Sequence, residues 1–162
     1  MKQITQSLST GKIELVEIPL PKTNRGELLI RTQCSLLSSG TEKMLLNFGK
    51  DNLFNKAKNN PERVNDIIEK ALTDGVLTTY EAVINKLDTP IPLGYCNVGI
   101  IEEIGPNVEG FNIGDRVISN GAHAEFVVVP KNLCALIPPS VTNEQAVFTV
   151  LGAIGLQGIR LA

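Results

Sequence analysis

Pro92-Leu93-Gly94-Tyr95-Cys96-Asn97-Val98-Gly99-Ile100-Ile101-Glu102-Glu103-Ile104-Gly105 is the stretch on which the fold turns, together with Val108-Glu109-Gly110-Phe111-Asn112-Ile113-Gly114-Asp115-Arg116-Val117 just after it. Val98–Ile104 is an apolar run rich in β-branched residues, and Gly105-Pro106-Asn107 closes it, so it reads as a strand ending in a turn. Downstream the pattern repeats. Arg116–Ser119, Ala124–Val129 and Leu133–Ile137 read as strands. Asn112-Ile113-Gly114-Asp115, Asn120-Gly121 and Pro130-Lys131-Asn132 read as the turns between them. Short strands with turns every 8–12 residues or so predict a small barrel.

Upstream, Lys12–Ile18 sets Ile13, Leu15 and Ile18 against Lys12, Glu14 and Glu17, close to the alternation of a half-buried strand. Pro19 and Pro21 end it, because neither can donate to a ladder. After a turn at Thr23-Asn24-Arg25-Gly26, Glu27–Leu37 is a second apolar strand. The character changes at Ser38. From about 42 to 89 the chain reads as a charged helical insertion. Asn60 and Pro61 suit a helix start, Val64, Ile67, Ile68, Ala71 and Leu72 form an amphipathic stripe, and Gly75 suits its end. Tyr80, Val83, Ile84 and Leu87 predict a shorter helix. Thr142 and Gln145 have the spacing of a capping box, and the helix they open is expected to run to Ala162, giving a C-terminal linking helix over about 143–162. Gly152, Gly155 and Gly158 weaken that helix by about 1 kcal/mol each against alanine, which predicts close approach of another backbone there. The fold class is mainly β with a helical insertion, α+β.

Composition narrows the function by exclusion. A chain of 162 residues suits one domain, and 43% hydrophobic with 20% charged residues excludes disorder and collagen-like repeats. A net charge of −2 favours neither nucleic acid nor an anionic membrane. Three well-separated cysteines, Cys34, Cys96 and Cys134, read as reduced, buried thiols in a cytoplasmic compartment. One histidine excludes H-E-x-x-H, and there is no C-x-x-C, G-x-S-x-G or phosphate loop. The 14 glycines contain no G-x-G, so the dinucleotide fingerprint is missing. The N-terminal residues do not read as a signal peptide, and no apolar run reaches the roughly 20 residues of a membrane span. His123, the one imidazole, is a candidate proton shuttle, against the blander reading of a solvated turn residue.

The segment 92–117 resembles the catalytic domain of the medium-chain dehydrogenase/reductase superfamily, the relatives of zinc-type alcohol dehydrogenases. That family shows P-x-x-x-G-H-E-x-x-G-x-V-x-x-V-G, then a G-D-x-V turn. Ala124-Glu125-Phe126-Val127-Val128-Val129-Pro130 and Glu144-Gln145-Ala146 are similar to its later signatures. The resemblance implies a GroES-like β-barrel. Ser35-Leu36-Leu37-Ser38-Ser39-Gly40-Thr41-Glu42, Phe48-Gly49-Lys50 with Lys56-Ala57-Lys58, and Thr149 to Gly158 look like one bacterial branch of two-part oxidoreductases. In that branch a dehydrogenase half precedes a half similar to glucose–fructose oxidoreductases. The implied function is the substrate side of a zinc-independent oxidoreductase that uses NAD or NADP on an alcohol or carbonyl, a sugar or nucleotide sugar among the classes. The cofactor would be bound mainly by a Rossmann domain missing from this chain. Residues 1–162 are then the GroES-like substrate domain, a fragment expected to be inactive alone. The alternatives are a non-catalytic GroES-like interaction module, or a threonine or alcohol dehydrogenase-like enzyme. The implied partners are a small-molecule substrate and the chain's own Rossmann domain, with no nucleic acid and no membrane. A homo-oligomer is left open.

Where the family places its zinc ligands, this sequence has Ser38 for the cysteine, and Tyr95 and Cys96 for the histidine and glutamate. Neutral hydroxyls and a phenol make poor zinc ligands, so no zinc is expected. The resemblance makes Ser38, Thr41, Glu42 and Tyr95 the candidates to polarise or protonate a carbonyl oxygen, with His123 beside them. Ser39, Gly40, Cys96 and Asn97 are then candidate pocket residues. Ser38 and Thr41 equally suit the cap of a helix that starts near Glu42.

Overall fold

In a computed structural model, the residues described are 1–50, 58, 64, 67, 73, 83, 85 and 87–162. The expected helices from Pro61 to Gly75 and from Tyr80 to Leu87 lie for the most part outside these residues. Val64, Ile67, Thr73, Val83 and Leu87, which are described, are helical. The chain divides into two compact units. One comprises Met1–Ile4, Leu15–Ser38 and Pro92–Ala162, and the other Thr5–Glu14 and Ser39–Ile91.

Among the described residues the strands are β1 (Lys2–Gln6), β2 (Ile13–Glu17), β3 (Glu27–Ser35), β4 (Ile91–Pro92), β5 (Asn97–Ile104), β6 (Arg116–Ser119), β7 (Phe126–Pro130) and β8 (Cys134–Leu136). The helices are α1 (Thr41–Lys50), α2 (Asn143–Ala146) and α3 (Thr149–Leu161). The protein is thus sheet-rich, as its turn spacing predicts. No helix of the described residues is long and apolar enough to cross a membrane.

The first unit is built on a five-stranded antiparallel sheet in the order β7-β3-β5-β6-β8. The stretch that opened the sequence analysis supplies its central strand, β5. Period-two alternation sends neighbouring residues to different cores. Val117 packs with Leu28, Ile30, Ile101, Val127 and Val129, while Ile118 packs with Cys96, Val98, Ile137, Ala146 and Val147. Each large side chain so buried contributes roughly 1.5–3 kcal/mol. The β3–β5 register shifts between Leu29 and Ile30 and again between Thr32 and Cys34. Each shift bends the strand and re-aims the residues after it.

Three expectations need correction. Strand β2 is not half-buried, since Ile13 is 46% and Leu15 65% exposed. Among the described residues it is an outer strand of the sheet β2-β1-β4, paired with β1. The C-terminal helix is not continuous. Thr142 caps α2 through a capping box with Gln145, as expected, but the segment breaks at Val147–Phe148 before α3 begins. At the break Phe148 N–H reaches back three residues to Gln145 O (3.4 Å), a tighter and poorer bond than the helical one. Finally, among the described residues no backbone approaches the α3 glycines, since a Cβ on Gly152, Gly155 or Gly158 would meet nothing of them within 4 Å. Ile154, Leu156, Ile159 and Leu161 of α3 are all exposed.

In the second unit, α1 packs against the turn after β1. Gln6 is fully buried, and its Nε2 donates to Leu45 O (2.9 Å). Gly49 faces the same place, where a Cβ would lie 2.6 Å from Gln6 Nε2 and 2.6 Å from Gly11 Cα. The absence of a side chain at Gly49 is what lets turn and helix come together.

Candidate functional site

The carboxyl end of β3 and the amino end of β5 meet in register, with Ser35 opposite Asn97 and Cys34 opposite Val98. Just before β5, Cys96 O accepts Leu36 N–H (3.0 Å). The segment Leu93–Asn97 is therefore held beside the end of β3 that leads into Ser38. Gly94 there has φ +92°, a left-handed conformation open to glycine. Tyr95 is half-buried and packs against the core of Cys96, Val98, Ile118, Ile137, Ala146 and Val147.

His123 is not a solvated turn residue. It is 7% exposed and closes over this segment. Its N–H donates to Leu93 O (2.7 Å), and its carbonyl accepts Ile4 N–H (2.9 Å). The imidazole lies flat against Gly94, where a Cβ would come 2.7 Å from Cγ, Cδ2 and Nε2. Nδ1 shares a hydrogen bond with Ser35 Oγ at 2.8 Å. A buried polar ring is costly unless it is hydrogen-bonded, and this bond offsets part of that cost. Ser35 escaped the sequence reading. Its proximity to His123 comes from pairing across the sheet, and no local motif signals it.

Asn97 is fully buried. Its Nδ2 donates to Thr32 Oγ1 (2.8 Å) and to Ala122 O (3.3 Å), while Oδ1 has no hydrogen-bond partner. Across the next pairing Ser119 is also buried, and its Oγ accepts Gly121 N–H (3.2 Å). Ser35, Asn97 and Ser119 thus form a polar row across three strands of the sheet.

The remaining candidates fall as follows. Ser38, half-buried, ends the first unit. Ser39, Gly40, Thr41 and Glu42 open the second. Gly40 O accepts Met44 N–H (3.0 Å), so Gly40 takes the cap position that Ser38 and Thr41 suited, and Thr41 is the first helical residue. Glu42 is buried in the first turn of α1, where the helix dipole favours a carboxylate. Asp115 shapes a turn, its carboxylate accepting Asn112 N–H at 2.7 Å.

Of the three thiols only Cys96 is fully buried, while Cys34 and Cys134 are half-buried. All three are free. Burial pushes the Cys134 thiol up from 9.0 to about 11. Burial, with Glu144 nearby, also raises the Cys34 thiol. The thiolate is the reactive form. Iodoacetamide is therefore expected to label native Cys134 slowly at pH 8, at a rate still rising tenfold per pH unit at pH 9.5, read by mass spectrometry. Folding favours the protonated thiol. The stability it contributes is fully present below pH 9.0 and is lost as pH rises toward about 11.

Among the described residues no three of His, Cys, Asp or Glu come together in a group that could hold a metal ion. Where the resembled family would seat zinc, the side chains are Ser38, Tyr95 and a Cys96 packed among Val98, Ile118 and Ile137. These residues do not fit a zinc site.

Known proteins resemble this chain in fold. Residues 70–139 match the alcohol dehydrogenase GroES-like domain. An L-threonine 3-dehydrogenase of Marinomonas sp. is 28% identical over 92 residues, covering 38% of this chain and 27% of that protein. The dehydrogenase orsE of Emericella nidulans is 32% identical over 95 residues, covering 44% of this chain and 27% of that protein. The native structure of a mycobacterial quinone oxidoreductase superposes with a TM-score of 0.61 at 24% identity, over 93% of this chain and 38% of that one. The matched segments therefore span 27% of each of these curated relatives.

Proposed function

From a chain whose residues 70–139 match the alcohol dehydrogenase GroES-like domain, we infer the substrate-side half of a zinc-independent NAD(P)-dependent oxidoreductase acting on an alcohol or carbonyl. The observation that carries this reading is the pocket segment Leu93–Asn97. It keeps the domain's glycine and strand, yet replaces the expected metal ligands with Tyr95 and Cys96. A nicotinamide, held mainly by a Rossmann domain beyond these residues, supplies the hydride chemistry. This chain supplies the pocket and the proton. Tyr95 is the candidate donor to the carbonyl oxygen, with Ser38 on the neighbouring segment and Thr41 and Glu42 as further candidates. Ser39, Gly40, Cys96 and Asn97 are the candidate walls, and His123 is a further candidate for moving a proton. The uncovered apolar side of α3, with Ile154 62% and Ile159 75% exposed, supports a further domain packing there. Three cysteines outside any disulfide favour a reducing, cytoplasmic setting.

The test uses the full-length protein with NADH and NADPH against aldehydes, ketones, sugars and nucleotide sugars, before and after exhaustive chelation. Turnover that survives chelation, in protein without stoichiometric zinc, is the expected result. Stoichiometric zinc, with activity lost on its removal, would overturn the zinc-free part. No turnover and no nicotinamide binding would favour a non-catalytic interaction module. Residues 1–162 alone are expected to give no calorimetric signal with NADPH.

A further inference from the structure

We propose that His123 is a positioning residue for Tyr95: one side chain clamps the segment before the tyrosine and ties it to Ser35 at the end of β3. The proposal rests on reading Tyr95 as a pocket residue. Its grounds are geometric. Tyr95 sits between two fixed points. On one side Cys96 O holds Leu36 N–H at 3.0 Å, a backbone bond that no substitution of side chains removes. On the other side Leu93 N–H donates to Ile4 O (3.0 Å), and His123 meets the segment with both its backbone and its ring. Its N–H holds Leu93 O at 2.7 Å, and its ring covers Gly94 so closely that a Cβ would sit 2.7 Å from three ring atoms.

A phenyl ring at position 123 would cover Gly94 as well, without the penalty of burying two nitrogens. The imidazole, unlike a phenyl ring, can also make the 2.8 Å bond from Nδ1 to Ser35 Oγ, which joins residues 88 apart in sequence. Ser35 is opposite Asn97 in the β3–β5 register, so this bond ties the ring to the strand residue that faces Asn97, two residues after the tyrosine. A core histidine that merely satisfied itself would have no need to reach across to the segment leading into Ser38. Here the tether fixes the spacing between the two segments that carry the candidate proton donors, Tyr95 and Ser38.

The test reads Tyr95 directly and needs no substrate. Full-length protein is made with ring-labelled tyrosine, and the Tyr95 NMR signal is assigned by its loss in Tyr95→Phe. Ser35→Ala removes only the tether, and His123→Phe keeps the packing and loses the bond. His123→Asn places an amide group where Nδ1 sits. The expected result is that Ser35→Ala and His123→Phe each move or broaden the Tyr95 signal by more than a linewidth, and that His123→Asn returns it to the wild-type position. Thermal midpoints establish that each variant is folded. If His123→Phe does not fold, Ser35→Ala decides alone, since it alters only an exposed hydroxyl. A Tyr95 signal unchanged in folded Ser35→Ala overturns the proposal. So does a displaced signal that Asn fails to restore. Either result is independent of whether the protein turns over a carbonyl.

Discussion

Gly99→Ala is expected to destabilise the protein by about 3 kcal/mol, the upper end of the usual cost of overpacking. Gly99 lies in the central strand β5, paired with Thr32 of β3. A Cβ there would lie 2.3 Å from Arg31 O and 2.6 Å from Ile30 Cγ2. The first of these is backbone within a ladder, and Ile30 is fully buried, so neither neighbour can swing aside. The two strands must separate, and they are the spine of the larger sheet. Urea unfolding of Gly99→Ala beside Gly155→Ala gives the contrast. Among the described residues a Cβ on Gly155 meets nothing within 4 Å, and helix propensity alone should stabilise that variant by up to about 1 kcal/mol. Equal midpoints for the two variants would refute the close approach at Gly99.

Gly94→Ala should cost nearly as much, by a different route. Its φ of +92° is unfavourable for an L-residue by about 1–2 kcal/mol, and the new methyl group would press into the His123 ring at 2.7 Å. Displacing a buried, hydrogen-bonded imidazole adds roughly as much again. The two parts separate in a double-mutant cycle, because His123→Ala removes the obstacle and leaves the backbone strain. Coupling of about 1 kcal/mol or more between positions 94 and 123 is the expected outcome, and strict additivity would rule out the stacked arrangement.

The strands are the legible part of this fold. Glu27 to Leu37, Val98 to Ile104 and Arg116 to Ser119 are alternating or β-branched runs between turn residues, and β3, β5 and β6 occupy nearly those positions. The capping box at Thr142 is equally plain, since both partners lie within four residues. Features made by distant pairing are hidden. The register shifts in β3 depend on how two strands meet, and nothing in Leu29-Ile30 or Thr32 to Cys34 announces them. His123 reads as a turn residue because its neighbours are turn-like, and it is buried because Leu93, Ile4 and Ser35 come to it from elsewhere in the chain. The candidate site is half legible for the same reason. A motif reveals Tyr95 and Cys96, whereas Ser35 becomes a participant through the sheet alone.

The strand order carries a consequence for how the chain reaches this state. Strand β3 is flanked by β5 and β7, so Glu27 waits for Pro130 and Ser35 waits for Asn97 before either edge is closed. During synthesis, Leu28, Leu29 and Ile30 therefore emerge as a hydrophobic ribbon with both rows of amides open long before their partners exist. Such non-local pairing places folding in the millisecond-to-second range. It also leaves that ribbon as the segment most in need of chaperone cover on the ribosome.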